Sequence, residues 1–279
     1  VSNLSDRGKA IIYVAIAAVL WSTAGLFIKW IPWHPVAIAG LRSGIATLVL
    51  LLYWWMNEKS LPPKPNLKKS FGALNYMLLV LLFIGANKMT TAANAILLQF
   101  TSPIWVIILA AIFLNEPFRK KDIWTTAAVL MGMGLFFVGN LEFGSMFGNF
   151  LAILSGLAMA IMVVSLKGVK VGSPLEIILW GNIFTFIVGF PFYGGIIFTQ
   201  VSLAGILFLG VVQLGLSYIF FAKGIQKVSA FEGILIPVLE PLLNPIWVLL
   251  FYGEYPTIYA FVGGIIVICA VGVSSLRNA

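Results

Sequence analysis

FEGILIPVLEPLLNPIWVLLF, residues 231–251, is as apolar as a membrane-spanning helix, yet it carries Glu240 near its middle and Pro237, Pro241 and Pro245 at four-residue spacing. A carboxylate at that depth costs roughly 3 kcal/mol or more, so it faces a cavity or a partner rather than lipid. Each proline removes a backbone donor and frees a carbonyl one turn back, which another group must satisfy. The stretch reads as the wall of an internal space.

The rest of the chain fits that setting. Its 279 residues are 61% hydrophobic and 9% charged, with a mean hydropathy of +1.05. A soluble protein carries about a quarter charged residues. Apolar runs of about 20 residues recur throughout, the length that crosses a bilayer as a helix. The fold class is therefore an all-α membrane protein. Ten spans are expected, at residues 9–30, 36–56, 70–86, 92–114, 123–139, 147–166, 174–194, 203–222, 231–251 and 257–276. The first reads as a retained span rather than a cleaved signal, and no loop has room for a soluble domain. The lone Cys269 sits in an apolar run and reads as a small core residue.

The net charge of +8 bears on orientation, not on nucleic acid. With the N-terminus inside, the cytoplasmic segments collect Arg7, Lys9, Lys59, Lys64, Lys68, Lys69, Arg119, Lys120, Lys121, Lys167, Lys170, Lys223, Lys227 and Arg277, and the opposite side keeps Lys29 and Lys88. Lys and Arg accumulate on the cytoplasmic side, so both termini are expected there.

The chain also repeats itself. SPIWVIILAAIFLNE (102–116) and EPLLNPIWVLLFYGE (240–254) lie 138 residues apart, each running from a proline, Pro103 or Pro241, to a glutamate, Glu116 or Glu254. The same offset lays AANAILL (92–98) on AFEGILI (230–236) and Lys29 on Lys167. The PIWV tetrapeptides at 103–106 and 245–248 fall one turn out of this register and read as coincidence. Five spans per half is an odd number, so the second half (141–279) is expected to enter the membrane inverted relative to the first (1–140). Such inverted repeats place a binding site near the midplane, between the halves.

Ten spans, a five-plus-five duplication and a Pro-to-Glu frame before a Gly-rich last helix resemble the drug/metabolite transporter superfamily of the EamA type. The matching residues are Ser102, Pro103, Asn115 and Glu116 with Gly132 and Gly134, and Glu240, Pro241, Gly253 and Glu254 with Gly263, Gly264 and Gly272. Among its members the chain looks most like bacterial exporters of aromatic amino acids. The resemblance implies helices around a central cavity, and efflux of amino acids or similar small metabolites across the inner membrane.

Residues that could line the cavity follow from helical spacing. Glu240, the one carboxylate at mid-membrane, reads either as a group that binds an ammonium or carries a proton, or as an interhelical tie. Asn244 and Trp247 share its face. On the fourth span Asn94, Thr101 and Trp105 share a face, with Gln99 and Ser102 turned aside but still candidates. Trp21 with Ser22, Trp180, and Gln213 with Ser217 complete the substrate-binding set. Trp54, Trp55 and Trp124 read as headgroup-level anchors. Pro103, Pro237, Pro241 and Pro245 are candidate hinges. Arg42, about two turns from the outer surface, reads as snorkelling, with attraction of a carboxylate as the alternative. Gly40 and Gly44 beside it would let another helix approach closely, and the last-span glycines read as packing.

The sequence contains no P-loop, no His/Cys/Asp/Glu set at metal-ligand spacing and no nucleophilic constellation. The expectation is a non-enzymatic secondary transporter without cofactor or metal, acting as a monomer on a small-molecule substrate among membrane lipids. The rivals are the same architecture carrying drugs, purines or sugars, and a structural or lipid-handling membrane protein. In the last case Asn94, Gln99, Glu240 and Asn244 would all be hydrogen-bonded between packed helices.

Overall fold

The computed structural model describes residues 5–28, 31–117, 119–138, 145–252 and 257–277. The described residues are helical, with short connections. In chain order the helices are α1 (Asp6–Ser22), α2 (Ala24–Ile28), α3 (Pro35–Glu58), α4 (Leu67–Met89), α5 (Ala92–Gln99), α6 (Ser102–Phe113) and α7 (Lys120–Phe136). They continue as α8 (Met146–Lys167), α9 (Leu175–Gly189), α10 (Gln200–Phe208), α11 (Ser217–Ile225), α12 (Ala230–Leu235), α13 (Leu239–Tyr252) and α14 (Ile258–Arg277). Among the described residues six stretches are long and apolar enough to cross a membrane: Pro35–Glu58, Leu67–Met89, Ala93–Phe113, Met146–Lys167, Leu175–Phe192 and Gln200–Ile225.

The helix ends follow from local chemistry. Ser5, Asn66, Thr91, Ser145, Thr199 and Ser229 each accept a backbone N–H in the first turn of the helix they precede. That satisfies donors which the helix itself leaves open. Pro35 begins α3, where a proline lacks nothing the helix needs.

Four of the expected spans are broken or distorted, the first of them dividing into α1 and α2 at Thr23. The fourth divides into α5 and α6 at Phe100 and Thr101, immediately before Pro103. The ninth divides into α12 and α13 around a 3-10 turn, Ile236–Val238, that contains Pro237. Under the 138-residue offset Ser102, the first residue of α6, falls on Glu240, the second of α13. Both halves therefore interrupt the same helix at the same place. The eighth span is continuous but π-helical over Leu209–Leu216, between α10 and α11.

The two halves of the chain do not form separate bodies. α4 runs along α8 and α9, α3 along α9, α1 along α11, and α7 along α14, so each main contact joins a helix before residue 140 to one after it. One apolar core runs through both halves, with Tyr76, Leu50, Met133, Met162, Ile178 and Phe221 fully buried.

Close approach is set by small residues. A Cβ on Gly263 of α14 would stand 2.5 Å from the Gly132 carbonyl oxygen of α7, and one on Gly132 would stand 3.0 Å from that of Gly263. Gly40 meets Gly189 of α9 across a similar contact, while the space beside Gly44 is filled by Phe186. Packing does not extend to all of the last-span glycines, because nothing lies within 4 Å of a Cβ placed on Gly272. Gly263→Val should therefore lower stability by about 1–3 kcal/mol, read as a lower melting temperature in detergent. Gly272→Ala should leave that temperature unchanged.

Candidate functional site

Polar side chains from six helices meet inside the bundle. α3 contributes Arg42, α4 Tyr76, α9 Asn182, the π-helical stretch Gln213, α11 Tyr218 and α13 Glu240. Gly210 lets the π-helical stretch settle on α3, where a Cβ would meet Ile45 and the Arg42 carbonyl oxygen. π-helical insertions re-aim side chains and recur at functional sites. Here the insertion brings Gln213 beside Arg42, whose Nη1 donates to Gln213 Oε1 at 3.4 Å. Ser217 supports the insertion by donating to the carbonyl oxygens of Gln213 (2.5 Å) and Leu214 (3.0 Å).

Tyr76 donates to Asn182 Oδ1 at 3.2 Å, and Asn182 Nδ2 donates in turn to the Ile178 carbonyl at 2.9 Å. The Tyr218 ring stands edge-on to Tyr76 at 5.2 Å, and Trp21 lies against Tyr218 at 4.9 Å and Phe221 at 5.1 Å. Trp247 Nε1 donates to Ser22 Oγ at 2.8 Å, which fastens α13 to α1. Ser22 itself donates to the Val19 carbonyl at 2.6 Å.

Several polar groups here have no partner among the described residues. They are Arg42 Nε, Trp21 Nε1, Trp105 Nε1 and Ser102 Oγ, all inaccessible to solvent. Buried polar atoms are almost always hydrogen-bonded in native proteins. Arg42 Nε and Trp21 Nε1 belong to this cluster, whereas Ser102 and Trp105 lie on α6, which packs on α8 and α12. Arg42 and Glu240 are both half-buried.

The remaining sequence-predicted residues lie elsewhere or serve as ties. Asn94 Nδ2 donates to Thr90 Oγ1 at 3.1 Å, and Thr90 donates to Asn149 of α8 at 2.8 Å. Gln99 Nε2 donates to Ser155 Oγ, also of α8, at 3.2 Å. Trp180 points to the α3–α4 connection, donating to the Pro63 carbonyl at 3.3 Å rather than lying deep. Pro103 and Pro241 are buried at the starts of α6 and α13, and Pro237 within the 3-10 turn. The side chains of Asn244 and Pro245 lie outside the described residues. Trp54 is 8% exposed, with a buried indole nitrogen that lacks a partner, so it is a core residue rather than an anchor; Trp55 and Trp124 are exposed at the helix surface.

The sequence reading did not single out Tyr76 and Tyr218, single tyrosines in apolar runs, and for Arg42 it set snorkelling ahead of attraction of a carboxylate. Their signal is the depth of a polar group in its run. Arg42 is the eighth residue of α3, about 10 Å along the helix axis from its start.

A second polar belt joins the halves at the end that carries the N-terminus. Arg7 pairs with Glu232, Lys227 donates to Asp6 at 2.7 Å, and Lys69 bonds both oxygens of Glu176 at 2.7 Å. The Lys227 contact holds the Asp6 carboxyl below the usual carboxylate range. Glu116 accepts from the Ala230 N–H with both oxygens, at 3.0 and 3.2 Å, so the glutamate that closes the first repeat caps α12 of the second. Each of these links crosses residue 140.

An apolar bundle with an interior polar compartment drawn from both halves is the arrangement of a multi-pass membrane transporter. The sequence profile of the EamA-like transporter family matches twice, at residues 8–138 and 146–276. The chain belongs to the EamA-like transporter family, and it is a membrane-embedded transporter. It is 26% identical over 262 residues to an uncharacterized transporter of Archaeoglobus fulgidus, covering 92% of this chain and 93% of that one. Mouse solute carrier family 35 member G1 is 24% identical over 304 residues, covering 97% and 79% respectively. A solved crystal structure with 16% identity superposes with a TM-score of 0.84 over 96% of both chains, a likeness of fold.

Tyr76→Phe removes the donor to Asn182 and keeps the ring. It should lower stability by about 1 kcal/mol, measured by thermal unfolding in detergent, and leave the helix content unchanged.

Proposed function

We propose that this protein is a secondary transporter that exports amino acids, aromatic or neutral, or closely similar small metabolites, across the bacterial inner membrane by alternating access. One observation carries the reading. Polar and aromatic side chains from both halves cluster inside the bundle, and Arg42 Nε and Trp21 Nε1 have no partner there among the described residues. Small-ligand sites combine apolar and aromatic walls with a few placed polar groups in this way.

In this reading ten spans form two inverted five-helix halves, 1–140 and 141–279, with both termini cytoplasmic. The asymmetry of Lys and Arg supports that orientation. The paired helix breaks support the inversion, because discontinuous helices at matching positions of two halves mark transporter binding sites. Movement consists of the halves rocking about the compartment. Pro103, Pro237, Pro241 and Pro245 are the points of bending, since a helix that already lacks backbone bonds there bends at little further cost. The belt of Arg7–Glu232, Asp6–Lys227, Lys69–Glu176 and the Glu116 cap is the cytoplasmic closure, and it opens to admit cargo. The cargo gradient drives export, and Glu240 is the group through which a proton would enter the cycle. One chain encloses the path, so the monomer is the working unit.

The test is counterflow in liposomes holding the purified chain. Labelled phenylalanine should accumulate against unlabelled phenylalanine inside, above the level of empty liposomes. If neither phenylalanine nor any neutral amino acid accumulates, the cargo reading is wrong. Glu240→Gln tests coupling: exchange with the same pH profile as the unmodified protein would remove the proton from the cycle.

A further inference from the structure

We infer that Lys9, Lys223 and Lys227 form a site for an anionic phosphodiester, supplied by the headgroup of a negatively charged lipid at the membrane surface. The assignment rests on the membrane embedding that the family establishes and is independent of the cargo.

A cavity of about 270 Å³ opens between the start of α1 and the end of α11, lined by Asp6, Lys9, Ala10, Tyr13, Lys223 and Lys227. Its floor is set by close packing. The two helices run along each other, and a Cβ on Gly224 would stand 2.7 Å from the Ala10 carbonyl oxygen. Backbones seated this closely leave the longer side chains on either side of the contact to frame the cavity. Lys9 and Tyr13 stand one turn apart on α1, and Lys223 and Lys227 are spaced likewise at the end of α11. The Tyr13 ring leans on Phe220 of α11 at 6.0 Å, and Lys223 Nζ lies 5.3 Å from the centre of the Tyr53 ring of α3.

The charges around this cavity are unequal. Three ammonium groups share it with one carboxylate, and that carboxylate, Asp6, already accepts from Lys227 at 2.7 Å. Lys9 and Lys223 close no ion pair among the described residues. Tyr13 makes no hydrogen bond among them, so its hydroxyl is free to donate. Like charges gathered at one place repel, and two spare ammonium groups around one cavity favour an anion within it. Phosphate oxygens accept from ammonium and hydroxyl groups alike.

The seam below the cavity selects the source of that anion. Ile16 and Leu20 on α1, with Leu216 and Phe220 opposite, continue from the cavity toward the middle of the bundle, and none of the four is buried. A basic mouth above an apolar groove matches an amphiphile, whereas a soluble anion would use the mouth alone. Basic pockets between membrane helices hold anionic headgroups in this way. The ordinary reading of surface lysines is the charge bias of one membrane face, and Lys64 and Lys68, exposed near the start of α4, line no such cavity and fit it. Because α1 and α11 belong to different halves of the chain, a lipid held between them links the halves.

The experiment is native mass spectrometry of the detergent-purified full chain with phosphatidylglycerol or phosphatidylcholine, which share the diester and differ in net charge. Phosphatidylglycerol should be retained at about one molecule per chain and roughly tenfold more tightly than phosphatidylcholine. Lys9→Gln combined with Lys223→Gln should erase that preference, whereas Lys64→Gln combined with Lys68→Gln should keep it. Thermal unfolding separates the two sources of the anion. Phosphatidylglycerol should raise the melting temperature, and glycerophosphoglycerol, the same headgroup without acyl chains, should not do so at equal concentration. Equal retention of the two lipids by the unmodified protein overturns the inference, and that comparison needs no variant to fold. A preference that survives loss of both Lys9 and Lys223 overturns it as well. Equal protection by the soluble headgroup overturns the lipid as its source. None of these results bears on the cargo, which counterflow tests separately.

Discussion

A charge held inside an apolar bundle has to be answered, and the position of Arg42 sets much of what surrounds it. In hydrocarbon an isolated guanidinium is unfavourable by several kcal/mol, so it is found where protein or trapped water meets it. Here the bundle meets it only in part. A π-helical stretch turns Gln213 toward it, Gly210 brings that stretch close, and the tyrosines at 76 and 218 complete the ring. The π-helical insertion serves this one incompletely neutralised group.

The interleaving of the two halves gives that arrangement its mechanical consequence. Because α1, α3 and α4 pack on helices of the second half, any relative motion of the halves must reshape the compartment between them. The polar belt near the N-terminus holds the same halves together through ion pairs and a helix cap. The Lys227–Asp6 pair is exposed and contributes little, whereas the Arg7–Glu232 and Lys69–Glu176 pairs bury their glutamates.

Much of the architecture was legible in the sequence for simple reasons. Apolar runs of bilayer length and a 138-residue self-match are properties of the chain alone, and prolines weaken helices wherever they stand. The breaks at Phe100–Thr101 and Ile236–Val238 follow from Pro103 and Pro237. The reading of 231–251 as a wall rested on Glu240, which is half-buried near the start of α13. What could not be read was which polar residues meet. Asn94 and Gln99 share the composition of cavity residues but sit against α8, where Asn149 and Ser155 receive them. Trp180 turns to a loop, and Trp54 turns inward. Arg42 was judged by its distance from the surface, yet its surroundings are set by the π-helical stretch of another span, which no local pattern announces. Helical spacing gives the face of a residue, and the neighbour of that face comes from packing.

The central claim is that the compartment between the halves holds one cargo molecule with the help of Arg42. The most direct measurement is equilibrium binding of labelled phenylalanine to the detergent-purified chain by scintillation proximity. The account predicts saturable binding approaching one molecule per chain, weakened on the order of tenfold in Arg42→Gln. Absence of saturable binding, or equal binding in that variant, would contradict it.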